Sequence, residues 1–105
     1  MTKIYNKLVR DRIPEIIESD GKLCTMEILP DDRYLQMLDV KLDEELAEYQ
    51  ESTSLEELAD LLEVMRAVVK ARGWSWEQLE QARHEKTAQI CGFEKKIFLK
   101  EVREK

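Results

Sequence analysis

Glycine and proline are scarce in this chain, with 3 and 2 among 105 residues, and histidine occurs once. So few turn formers, beside 43% hydrophobic and 38% charged residues, favour a helix-rich protein with a heavily solvated surface. Cysteine is limited to Cys24 and Cys91, which lack the C-x-x-C spacing of zinc and dithiol sites and read as reduced structural thiols. His84 has no evident partner, so no Ser, Cys or His arrangement offers a covalent nucleophile. No window approaches the roughly 20 apolar residues of a membrane span, and the basic start MTKIYNKLVRDR leads into no apolar run of signal-peptide length. A soluble, cytoplasmic protein is expected. Basic residues are also outnumbered, 17 against 23 acids for a net charge of −6, the wrong sign for neutralising nucleic-acid phosphates over a broad surface. Neither a nucleic-acid polymer nor a membrane is expected as a partner.

Repeats, low-complexity tracts and linkers are missing too, so residues 1–105 read as one domain. Local punctuation divides it. Pro14 is placed to start a short helix through Ile16 and Ile17 that Asp20-Gly21 ends. Residues 22–28 alternate apolar and polar side chains and predict a strand. Pro30-Asp31-Asp32 opens a long helix to about Gln50, with Leu35, Leu38, Leu42, Leu46 and Tyr49 forming one apolar stripe. Ser54 and Glu57 fit a capping box for a second long helix, whose stripe is Leu55, Leu58, Leu62, Met65 and Val69. Ser75 and Gln78 do the same for a third, which runs to near Gln89 before Gly92. The tail FEKKIFLKEV, residues 93–102, has no helical period and reads as a second strand paired with 22–28. The expected fold class is mainly α: three long helices and a short N-terminal helix, with a small two-stranded β element that needs a helical layer beneath it.

The acids of the long helices carry the chemistry. Glu45-x-x-Glu48 and Glu57-x-x-Asp60 stand on either side of the Ser52-Thr53-Ser54 break, and at about 100° per residue both pairs lie beside apolar surface. An antiparallel hairpin about Ser52-Thr53 mirrors 48 onto 57 and 45 onto 60, which gathers four carboxylates at two levels one turn apart. Crowded, partly desolvated anions need protonation or a cation. Oxygen-only ligation on rigid helices suits Mg²⁺ or Mn²⁺, and Mg²⁺ commonly shares its positions with substrate phosphates. The alternative is that these are solvated helix acids, with Glu57 occupied in capping its own helix, because E-x-x-E also occurs at Glu15/Glu18 and Glu77/Glu80.

With Glu44-Glu45-Leu46-Ala47-Glu48 and Glu57-Leu58-Ala59-Asp60, the sequence resembles the all-α nucleoside triphosphate pyrophosphohydrolases of the MazG type, whose signature is E-E-x-x-E followed by E-x-x-D. YNKLVRDRIPEII and GFEKKIFL are similar to a small single-domain house-cleaning branch, described as phosphoribosyl-ATP pyrophosphohydrolase-like, and the resemblance covers nearly the whole chain. It implies a helical bundle, assembled as a homodimer or higher homo-oligomer, that hydrolyses a nucleoside triphosphate to the monophosphate and pyrophosphate with Mg²⁺. Glu45, Glu48, Glu57 and Asp60 are the implied metal ligands, and Glu45 or Glu48 the implied water-orienting base. Glu44 ranks below them because the helical wheel places it farther from the core. Weaker candidates for substrate contact are Lys41, Lys86, Arg10 and Arg12, with Lys7 beside them and Trp74 and Trp76 as base-stacking candidates. The chain departs from the branch in a short Glu48–Glu57 connector and in Ile90-Cys91, which stand where an Arg-Gly pair is usual. The rival expectation is a non-enzymatic helical interaction or regulatory module that keeps the fold and an acidic metal site.

Overall fold

The computed structural model describes residues 1–105 as four helices joined by short turns and extended segments: α1 (Ile13–Ser19), α2 (Asp31–Ser52), α3 (Leu55–Ala71) and α4 (Trp76–Ile90). Their ends follow local chemistry. Pro14 occupies the first turn of α1, where a missing N–H costs nothing. Pro30 in extended conformation precedes α2, and Asp31 and Asp32 place negative charge at its positive end. Ser54 accepts from the Glu57 backbone N–H at 3.3 Å to begin α3. At α4 the reciprocal box is complete: Ser75 Oγ accepts from Gln78 N–H at 3.1 Å, and the Ser75 N–H donates to Gln78 Oε1 at 2.8 Å.

The α2–α3 hairpin is the centre of the structure. α4 packs only on α3, and α1 packs on no other helix. Leu38 and Val69 are the buried apolar residues, at 4% and 8% exposure. The radius of gyration, 18.8 Å, exceeds the roughly 13 Å of a globular domain of this length. The long helices therefore do not close into a bundle within one chain.

Two sequence expectations are corrected. Residues 22–28 and 93–102 form no strand, and no backbone N–H of residues 23–28 or 97–102 finds a backbone carbonyl. With α4 touching α3 alone and α1 touching no helix, no helical layer lies where a two-stranded ribbon would need one. Leu23, Met26, Ile28, Ile97, Phe98 and Leu99 are accordingly exposed. The second correction concerns α3. Of its expected stripe, Leu55, Leu58, Leu62 and Met65 face outward and are exposed and Val69 alone is buried, whereas Glu57, Asp60, Leu61, Val64, Ala67 and Val68 are half-buried. These recur at three and four and form the seam against α2.

Leu38→Ala is expected to destabilise the protein by about 2–5 kcal/mol, as for other buried leucines. Leu99→Ala, in the exposed tail, should stay within about 0.5 kcal/mol. Urea denaturation of both variants measures the difference, and equal midpoints would show that the seam is not the core.

Candidate functional site

The hairpin turn sets the site. Ser52 ends α2, Thr53 adopts the left-handed conformation at φ 53° with its N–H on the Tyr49 carbonyl at 2.6 Å, and Ser54 caps α3. The Ser54 N–H is taken by Ser52 Oγ at 3.3 Å, so the Glu57 side chain is not used in a reciprocal cap. It lies in the seam instead, and its Oε2 is buried without a hydrogen-bond partner.

Across the seam stands Glu45, 6% exposed, whose Oε2 is also buried and unpartnered. Carboxylate oxygens of Glu45, Glu57 and Asp60 lie within 4.8 Å of one another, and so do those of Glu44, Glu45 and Glu48. The two trios share Glu45. The structure thus brings all four sequence-selected acids around one residue, with Glu48 in one trio and Glu57 and Asp60 in the other.

Three cations surround these acids. Lys41, one turn before Glu45 on α2, places Nζ 3.3 Å from Glu44 Oε1 and 3.2 Å from Glu45 Oε1. Lys7 lies 2.9 Å from the same Glu44 oxygen, and Arg10 Nη2 lies 2.8 Å from Asp60 Oδ1. The other weak candidates lie elsewhere. Arg12 pairs with Glu15 at 3.3 Å at the start of α1, and Lys86 is exposed on α4 without an ion pair to these acids. Trp76 takes the Arg66 guanidinium over its ring at 4.8 Å, while Trp74 is exposed. The sequence ranking understated Glu44 and Lys7, which form the bridge at the edge of the cluster. For Glu44 the E-E-x-x-E signature, with Lys41 one turn ahead on the same helix, was the available signal, and no spacing points to Lys7.

Electrostatics separates neighbouring acids. Burial, followed by the charge of Glu48, raises the Glu45 carboxyl above its ordinary value of 4.5 despite the Lys41 ammonium. Partial burial is the largest single influence on Glu44 and pushes upward too, but the hydrogen bond from Lys7 and the charge of Lys41 outweigh it, and its carboxyl falls below 4.5. Lys7 rises in turn through its bond to Glu44. Cations meet the cluster at Glu44 and Glu45 Oε1 on α2 and at Asp60 on α3. The buried oxygens Glu45 Oε2 and Glu57 Oε2 have none.

No family model matches the chain, and no solved structure does. A protein of Mycolicibacterium smegmatis (strain ATCC 700084 / mc(2)155), described as an uncharacterized protein, is 55% identical over 42 residues, a stretch that is 40% of this chain and 43% of that protein. So short a match, to a protein described in those words, assigns neither family nor activity.

Opposite pKa directions give opposite linkage. Glu45 is raised on folding, so its ionisation costs stability, fully above the folded pKa and not at all below 4.5, where it is protonated in both states. Glu45→Gln should therefore raise apo stability near pH 8 and lose that advantage as pH falls towards 4.5. Glu44 is depressed, so it stabilises above 4.5 and that contribution is lost as pH falls through its folded pKa. Glu44→Gln should cost stability near pH 8 and progressively less in acid. Thermal melts of both variants across this range check the signs.

Proposed function

We propose that the protein is an Mg²⁺-dependent nucleoside triphosphate pyrophosphohydrolase, which cleaves the α,β-phosphoanhydride of a canonical or damaged nucleotide to monophosphate and pyrophosphate. The observation that carries this reading is the pair of buried, unpartnered oxygens, Glu45 Oε2 and Glu57 Oε2, in a trio with Asp60. Anionic oxygens withdrawn from water without a donor call for a cation. A set made of carboxylates alone, on two helices held in register, fits a hard divalent ion better than zinc. Glu45, Glu57 and Asp60 would hold it, and Glu48 would complete the set on the α2 side. When bound, Mg²⁺ would supply positive charge to the phosphate oxygens and to the water that attacks.

The chain's own groups do the rest. Lys41 occupies Glu45 Oε1, which leaves Glu45 Oε2 as the oxygen turned towards ligands. Glu48, which has no buried unpartnered oxygen of its own, is the carboxylate left to orient the attacking water and accept its proton. The E-E-x-x-E and E-x-x-D resemblance supports the nucleotide as the substrate class. Lys41 is committed to Glu44 and Glu45, so it serves the acids and not the phosphates.

A cytoplasmic homodimer is the functional unit in this reading. The outward stripe of Leu55, Leu58, Leu62 and Met65 is the surface a second copy would cover, as helices with an uncovered apolar face require. No helix is long and apolar enough to cross a membrane. The same stripe favours a second reading, a helical interaction module without catalysis, in which the acids hold a regulatory cation.

Incubation with a panel of canonical and oxidised nucleoside triphosphates plus Mg²⁺ should yield monophosphate and pyrophosphate. Glu48→Gln should lower turnover by at least about a hundredfold. Absence of product from every triphosphate, in a protein that binds Mg²⁺, would leave the interaction module standing. Bound Mg²⁺ should also stabilise the wild type by about 2.7 kcal/mol at a hundredfold excess over Kd, and Glu57→Gln should lose most of that gain. Sedimentation at micromolar concentration should give a dimer, and Leu58→Glu with Leu62→Glu should give monomers.

A further inference from the structure

Residues 1–12 precede α1 without regular structure, and none of their backbone N–H groups donates to a backbone carbonyl. The segment nonetheless lies across both helices of the hairpin. Its hydrogen bonds to them are two: Lys7 Nζ to Glu44 on α2 and Arg10 Nη2 to Asp60 on α3. Three residues of separation put one cation on each acid trio.

The geometry points to an autoinhibitory strap: Lys7 and Arg10 are built-in counter-cations that cover the two trios, and a divalent cation binds by displacing them. The inference rests on the metal reading above and adds its regulation. Two features make the strap releasable. Both pairs keep contact with water, Lys7 and Glu44 at 35% and 24% exposure and Arg10 and Asp60 at 59% and 43%, and partly solvated pairs contribute little individually. The segment continues into α1, which packs on no other helix, so its release disrupts no helix packing. Lys41 differs on each point: it belongs to α2 itself, its side chain is only 15% exposed, and it bridges Glu44 and Glu45 from within their own helix. Lys41 therefore stays while Lys7 and Arg10 leave. Asp60 is the acid on which the competition is direct, because Arg10 holds an oxygen of the residue that completes the trio with Glu45 and Glu57.

Trypsin reports this directly, because it cuts after the two residues concerned. Saturating Mg²⁺ should accelerate cleavage of the full-length wild type at Lys7–Leu8 and Arg10–Asp11 about tenfold, followed by mass spectrometry. The Arg72–Gly73 bond, in the turn between α3 and α4, should show no such increase. Calorimetric titration with Mg²⁺ should give the Lys7→Gln/Arg10→Gln double variant a Kd about tenfold tighter than wild type, within the range two exposed ion pairs supply. Mg²⁺ binding by the variant alone would support the strap in its strongest form. Equal affinity in both proteins, or cleavage that Mg²⁺ leaves unchanged or slows, overturns the strap and leaves the metal site standing. No binding by either protein removes the metal reading, and the strap's role with it.

Discussion

A two-residue turn, Thr53-Ser54, sets the level at which every acid on α3 meets α2. Thr53 is left-handed, its N–H closes on Tyr49, and Ser54 begins the next helix by taking the Glu57 N–H, so there is no slack between the helices. Register follows from this. Residue 45 stands near 60, and the side chain of Glu57 is left free in the seam because its backbone, not its carboxylate, serves the cap. Adding one residue to α3 ahead of Glu57 would turn the helix by about 100° and carry both acids out of the seam. Replacing Thr53 by glycine, in contrast, would relieve a left-handed conformation that residues with a side chain adopt at a cost.

Charge is then divided atom by atom. Glu45 is the acid common to both trios, and its two oxygens have different fates: Oε1 faces the Lys41 ammonium, while Oε2 is buried without a partner near Glu57. A solvated acid on a helix surface does not behave this way, since water would satisfy both oxygens. Lys41 is within reach of Glu44 as well, so a single ammonium fixes two neighbouring side chains and holds Glu45 in the seam. The opposite pKa directions of Glu44 and Glu45, adjacent in sequence, come from this division and from their positions on the helix. Glu44 stands at the edge, where Lys7 also reaches it, and Glu45 points inward.

The helix ends were legible because capping is local: Ser75 and Gln78 are three residues apart and bond reciprocally whatever surrounds them. The meeting of Glu45 with Asp60 was legible because mirror symmetry about a short turn is arithmetic on residue numbers, whereas Glu57, mirrored onto 48, groups with Glu45 instead. What failed depended on distant partners. Residues 22–28 alternate as a strand does, but alternation shows only that one face could be buried, and nothing in this chain buries it. The tail at Ile97, Phe98 and Leu99 is apolar for the same unanswered reason. On α3 the leucine-rich stripe is only partly an inside: Val69 is buried, but Leu55, Leu58, Leu62 and Met65 are exposed. The face against α2 carries Glu57 and Asp60 with Leu61, Val64 and Ala67, the apolar surface beside which the acids are expected to lie.

That placement separates the two tasks of α3. Leu58 and Leu62 are one turn apart on the outer face, while Glu57 and Asp60 are one turn apart on the inner, so adjacent residues, about 100° apart, serve different faces of one helix. An apolar inner face would have packed α3 onto α2 more cheaply, because buried acids carry a desolvation cost that Lys41, Lys7 and Arg10 offset only in part. A chain selected for the stability of its hairpin alone would place the leucines inside. The arrangement makes physical sense if the seam is kept for charge and the outer stripe for a neighbour, with substitutions on one face adding to those on the other unless the helix itself moves.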